Sequence, residues 1–313
     1  MNQPAQVMLL PQSSYQPDEL DEKIELILTH FQASLPKVKS KVLLKPNLVK
    51  SSERHLARQT DCEFMRALIL CCKKRDWDIT VGDSPAIGSA RLVATQSGLT
   101  KVCDDLQVPL INLSGAETHN VDGRTTSISS TLKKFDAIIN VPKLKGHELL
   151  YFTGAVKNLY GCVGGKRKVV RHVTMGDKDD GRIFARMLID TSKLVNPCLT
   201  IVDGIDAMAG KGPLSGTCVQ ENLIAASTEP ITLDWTLVHH LSGKIKYDPV
   251  LKLVNEDPQY HHHREAEILT PMGKPKRGGF YFPSREERKP ISFHPWILLR
   301  FAYRNLKSKL QRA

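Results

Sequence analysis

Between Val141 and Gly165 the sequence VPKLKGHELLYFTGAVKNLYGCVGG gathers Lys143, Lys145, Lys157, the imidazole of His147 and five glycines, with Glu148 as its only acid. Ammonium groups act as point charges toward a carboxylate or phosphate. Glycines such as Gly154, Gly161, Gly164 and Gly165 let backbone N–H groups turn toward an anion with no Cβ in the way. His147 titrates near neutral pH and is a candidate general acid or base, with Lys143 and Lys157 as candidate catalytic companions. Cys162 joins them as a candidate nucleophile, because nearby positive charge depresses a thiol pKa. Lys145, Gly161, Gly164, Gly165 and Lys166 are candidate anion ligands. A solvated lysine-rich surface loop has the same composition. What argues against it is the apolar run DAIINV (136–141) just upstream, which delivers the lysines to the end of a buried strand.

The elements that must position these groups alternate along the chain. Apolar residues Ile24, Ile27, Leu28, Phe31 and Leu35 recur at helical spacing over 18–35. KVLLK (41–45) reads as a strand stopped by Pro46, and Thr60 with Glu63 reads as a capping box opening a helix. Further strands are predicted at 78–82, 108–113, 136–141, 199–204 and 222–227, and helices at 89–98, 182–195 and 230–241. This order predicts an α/β fold, a mostly parallel sheet flanked by helices. In such sheets ligands lie outside the carboxyl ends of the strands. The polar residues fall there: Lys45 and Asn47 after the second run, Asp83 and Ser84 after DITVG, and Asp203 in LTIVDG. Lys45 and Asn47 are therefore further anion-ligand candidates. Asp83, Asp203 and His172 are candidate ligands for a divalent metal or orienting groups for His147. Each has a plainer alternative, a local turn or a helix cap.

Several of these segments occur together in a known family. KPNLV (45–49), VGDSPA (81–86), SGL (97–99), NVPKLKGH (140–147), TGAVKNLYGCVGG (153–165), IVDGIDAMAGKGP (201–213) and Asp234 together resemble, in order, the domain-of-unknown-function 362 family over about residues 40–240. Many members are labelled iron–sulfur proteins and carry a module of closely spaced cysteines. The seven cysteines here, at 62, 71, 72, 103, 162, 198 and 218, include no such cluster, which argues against an iron–sulfur cofactor. The family is also distantly similar in fold to the N-terminal domain of lactate racemase, which holds a nickel pincer cofactor through lysine and histidine. No racemase residue carries over. GCVGGK is not a P-loop, because Arg167 stands where magnesium needs a hydroxyl.

Charge is unevenly spread. Lys and Arg outnumber Asp and Glu by 44 to 33, a net +11; from Lys244 to Ala313 there are 15 basic and 7 acidic residues, so +8 of the excess lies there. The chain divides into a core domain, 1–243, and an irregular basic C-terminal extension, 244–313, ending in an amphipathic helix. Gly243–Pro290 is expected to be an irregular connector or lid. From Phe293 onward Trp296, Leu299, Tyr303, Leu306 and Leu310 share one helical face and Arg300, Arg304 and Lys307 another. That face suits the core, a protein partner or an anionic membrane surface. The aromatics lie on the apolar face and no base-reading module occurs, which argues against nucleic acid. With no signal peptide or long apolar run, a cytoplasmic location is expected, with a peripheral membrane position open. Two functions remain: an enzyme acting on a small anionic carboxylate or phosphate by isomerisation, proton abstraction or group transfer, and a noncatalytic cofactor-binding redox or assembly accessory protein docking through its tail.

Overall fold

The computed structural model describes residues 4–85, 88–164 and 181–288. Gly165, Lys166, His172 and the tail helix 293–313 lie outside the described residues. The sheet is mixed and mostly parallel. Its central strands β2 (Lys41–Pro46), β3 (Asp78–Asp83), β4 (Leu110–Asn112), β7 (Ala137–Val141) and β10 (Leu199–Ala209) run parallel in the order β10-β7-β2-β3-β4. Next to β10 lies β11 (Thr217–Ser227), antiparallel to it, then β1 (Ala5–Pro11), antiparallel to β11, and β12 (Ala266–Leu269) pairs parallel with β1.

Strand residues alternate between the two faces, and both faces are covered by helices. Met8 and Leu10 of β1 and Val42 and Leu44 of β2 pack in one cluster. That cluster includes side chains of α1 (Pro17–His30), α2 (Cys62–Lys73), α3 (Ala90–Thr95) and α4 (Leu99–Asp105). Val7 and Leu9 pack on the other face with α5 (Ala155–Leu159), α6 (Arg182–Val195), α7 (Pro230–His240) and α8 (Pro249–Glu256). Burial on both faces explains why these strands read as continuous apolar runs.

Several boundaries differ from the sequence expectation for identifiable reasons. The first helix stops at His30, and Gln32–Ser34 form a short 3-10 turn. The cap of α2 is Asp61, whose carboxylate accepts the Glu63 N–H, not Thr60. Residues 117–128 form a hairpin of β5 (Glu117–Val121) and β6 (Arg124–Ile128), turned by Asp122-Gly123, both at positive φ, as Asp-Gly turns require. Two short strands, β8 (Lys143–His147) and β9 (Tyr151–Thr153), follow β7 directly, β8 pairing with β10. Residues 244–288 are more than an irregular connector: α8 buries Val250, Leu251, Leu253 and Val254, and Phe282 stacks on Tyr151 at 4.5 Å. No helix among the described residues is long and apolar enough to cross a membrane.

Candidate functional site

The carboxyl ends of β2 and β3, the middle of β10 and the short strand β8 bring three buried lysines into one polar region. Each strand end needs a partner for its charge, because an ammonium taken out of water is costly unless paired. Lys45, at the end of β2, reaches Asp83 at the end of β3 at 2.9 Å, and both are almost fully buried. The Asp83 carboxylate also accepts the backbone N–H groups of Leu48 and Ser84, each at 2.8 Å. Lys143 pairs with Asp203 of β10 at 2.9 Å and donates to the Tyr15 hydroxyl at 2.7 Å. Tyr15 donates in turn to Asp203 at 3.0 Å, and the Asp61 N–H closes the set at 2.9 Å. Burial pushes the Asp203 carboxyl upward against the pull of Lys143, and burial with the Asp203 and Asp61 charges pushes the Tyr15 hydroxyl well upward.

Lys145 is different. Its ammonium is fully buried and donates to Asn47 Oδ1 and, at 2.9 Å, to the Arg58 carbonyl; neither acceptor carries a charge. Behind Asn47 a chain of amides continues: Asn47 donates to Asn158 Oδ1 at 2.8 Å, and Asn158 donates to Asn140 Oδ1 at 2.8 Å. Asn140 then bonds the Ala155 carbonyl at 3.0 Å. These amides fix the lysine without neutralising it. Burial first, then repulsion from Lys157 and Lys143, lowers the Lys145 pKa to about 7, with Asp83 opposing. An amine near neutrality can both lose and regain a proton at physiological pH.

This arrangement falls within the segment that a family profile, Domain of unknown function (DUF362), matches, namely residues 42–239. The chain belongs to the DUF362 family. It is 35% identical over 276 residues to a thylakoid-associated protein of Synechocystis sp., covering 86% of this chain and 84% of that protein. Among solved structures, lactate racemase apoprotein from Thermoanaerobacterium thermosaccharolyticum superposes with a TM-score of 0.48 at 14% identity, over 82% of this chain and 59% of that one. A Thermotoga maritima protein superposes with a TM-score of 0.45 at 12% identity, over 70% and 57% respectively. The chain thus spans less than two thirds of either structure.

Other candidate residues of this DUF362 protein have different surroundings from those expected. His147 continues the same strand, but its Nδ1 accepts the N–H groups of Leu149 and Leu150 at 3.1 and 3.2 Å. In the neutral ring this places the proton on Nε2. Cys162 packs in an apolar cluster with Leu43, Leu159 and Val195, so its thiol is a buried core group. Gly161 is required for a reason other than anion binding: a Cβ there would overlap the Lys45–Asp83 pair. Gly164 lies against the Gly115 carbonyl, again a close approach of backbone. Asp83 and Asp203 are each engaged by their own lysine and do not form a shared metal-ligand set. Among the described residues, the groups within ligand reach of one another are Asp21, Glu25 and Cys71, on α1 and α2. Asp21 and Glu25 there already pair with Lys74 and Arg75.

Lys157 on α5 is half-buried, with its ammonium 5.0 Å from the Tyr160 ring centre. It borders a cavity of about 10 Å³, room for roughly one water, together with Asp234 and Asp248. Asp234 accepts the Ala155 and Val156 N–H groups at 2.6 and 2.9 Å, fixing the start of α5 and so the placement of Lys157 and Asn158. Burial raises the Asp234 carboxyl to about 7. Sequence reasoning missed Asn140, Asn158, Tyr15 and the true part of Thr60, whose hydroxyl accepts the Asn47 N–H and donates to the Val141 carbonyl. An amide inside the apolar run DAIINV was a usable signal for Asn140; Tyr15 offered none.

Proposed function

We propose that this DUF362 protein is an enzyme acting on a small anionic substrate, a carboxylate or phosphate, with Lys145 as the group that takes and returns a proton. The observation that carries this reading is the contrast in pairing: Lys45 and Lys143 each have a carboxylate, whereas Lys145 has only neutral oxygens. The positive charge of Lys145, met by no carboxylate, attracts an anion, and a lysine poised at about 7 matches the requirement for a general base at neutral pH. Lys45 and Lys143 serve as fixed charges and Asn47 as the orienting group. His147 supports the turn after β8 and, with Nδ1 accepting from Leu149 and Leu150, offers its Nε2–H as a hydrogen-bond donor. The chemistry is proton abstraction or isomerisation beside the bound anion.

The test is solvent-deuterium exchange, followed by mass spectrometry, into a panel of hydroxy acids, keto acids and phosphorylated aldehydes and ketones. Exchange in the wild type and none in Lys145→Met is expected. No exchange into any compound, with Lys145 titrating near 10.5 by NMR, would end the proposal.

Peripheral attachment at an anionic membrane surface is a second, compatible reading. It is favoured by the +8 carried by the last 70 residues and by the thylakoid association named for the Synechocystis relative. A noncatalytic accessory protein docked in this way would float with anionic liposomes at low salt, and its biological function would survive Lys145→Met but not removal of 293–313.

A further inference from the structure

We infer that the folded surface made by the strap 274–281 and the turn 210–217 is the face with which this protein lies on an anionic lipid surface. This rests on the membrane reading above and gives it a place on the described fold, apart from the tail 293–313. The first observation is how the strap is held. The Gly279 N–H donates to the Gln220 carbonyl at 2.8 Å, the Phe280 N–H to the Glu221 carboxylate at 2.9 Å, and the Tyr281 carbonyl accepts the Gly210 N–H at 2.8 Å. Pinned on both sides of Phe280, the strap turns that ring inward, where it is 3% exposed, and leaves Tyr281 46% exposed. The Tyr281 hydroxyl donates to Thr217 Oγ1 at 3.2 Å, which ties the strap to the turn carrying Lys211 and the exposed Leu214.

The second observation is charge without a counter-charge. Lys211, Lys244, Lys274, Lys276 and Arg277 are all exposed. Among the described residues none of them enters an ion pair. Elsewhere on the surface the reverse holds: Lys74 pairs with Asp21, Lys101 with Asp105, Lys133 with Glu117 and Lys193 with Asp122. The unpaired cations adjoin. Arg277 donates to Ser242 Oγ at 2.9 Å, close in sequence to Lys244, and both Lys274 and Arg277 act electrostatically on His240 at the end of α7. Two acids touch these segments: Glu221 is buried and taken by the Phe280 N–H, and Glu148 meets the turn through its backbone N–H, which donates to the Gly212 carbonyl at 2.9 Å.

The kind of side chain decides the partner. Protein interfaces concentrate their energy in a fixed, desolvated centre of Trp, Tyr or Arg. Here all the cations but Arg277 are lysines, whose flexible stems prescribe no geometry. An anionic bilayer needs none, because basic side chains near its surface add their attraction one by one. A tyrosine held at such a surface suits the headgroup level, with ring and hydroxyl facing apolar and polar surroundings.

Cys218 supplies a reporter, since it is exposed, follows Thr217 directly, and the other cysteines are buried or half-buried. The full chain, labelled there with a polarity-sensitive dye, is titrated with vesicles of phosphatidylcholine alone or with about one third phosphatidylglycerol, at low salt. A blue shift with the anionic vesicles alone is expected, lost at about 0.5 M salt. The combined variant Lys211→Gln, Lys274→Gln, Lys276→Gln, Arg277→Gln should weaken binding at least tenfold and Tyr281→Ala about threefold, with native circular dichroism. A control with Lys101→Gln and Lys133→Gln should bind as the wild type does; an equal loss there would mean that only total charge matters and would overturn the inference. Flotation of the unlabelled chain is the second measurement. If the chain floats but the dye does not respond, or the combined variant floats like the wild type, the strap is not the contact and the membrane reading passes to the tail alone. A dye response to polyglutamate without one to vesicles would assign the surface to an acidic protein and also overturn the inference. If nothing floats at low salt, both readings fall.

Discussion

Lys143 and Lys145 are two residues apart on one strand and equally buried, yet they are built for different ends. Lys143 sits in a closed set of Asp203, Tyr15 and the Asp61 N–H, where every charge has its opposite. Lys145 faces amide and carbonyl oxygens alone. The first arrangement fixes a strand end. The second keeps an ammonium close to deprotonation, because nothing but dipoles offsets its desolvation. The contrast teaches that burial of a lysine says little until its acceptors are named.

The sharpest way to break this comparison is to remove a carboxylate. Asp203→Ala leaves Lys143 buried and unpaired and is expected to cost about 3–5 kcal/mol in urea unfolding; a loss below 1 kcal/mol would mean that the two lysines are alike. Gly161→Ala should cost about 1–3 kcal/mol by pushing a methyl into the Lys45–Asp83 pair, and thermal unfolding of the purified variant reads this directly. Lys145→Met sharpens the contrast through pH. Between about 7 and 10.5 the folded lysine is neutral while the unfolded one holds its proton, so wild-type stability rises with pH in that window. The stability difference, wild type minus variant, should climb by up to about 1.4 kcal/mol per pH unit there and stay flat below pH 7; a flat difference throughout shows an ordinary lysine. Smallest of all, Cys162→Ala should cost about 1 kcal/mol of packing, read by urea unfolding, and leave deuterium exchange unchanged.

Much of this was legible because parallel strands end side by side. Lys45, Asn47, Asp83, Lys143, Lys145 and Asp203 were all nominated from their places after apolar runs, and the sheet does bring them together. Arg182–Val195 came out with the boundaries its periodicity implies. What stayed hidden was pairing. No local pattern assigns a carboxylate to Lys143 and withholds one from Lys145, since that depends on Asp203 and Asn47 arriving from distant segments. β8 itself, KLKGH, has no apolar alternation, yet all five residues are buried; its register comes from β10. Thr60 looked like a cap because Glu63 stands three residues on, but Asp61 took that place and freed the hydroxyl for Asn47.

The position of β1 has a further consequence for how the chain is made. Its neighbours in the sheet are β11 and β12, paired at Leu223–Ala226 and Ala266–Leu269. An apolar segment that leaves the ribosome early must wait until about two hundred more residues have been translated before it can dock. The parallel β2–β3 unit with α2 needs no such delay, since its contacts are near in sequence. Nascent chains stalled before β11 would display MLLP as an open, sticky ribbon.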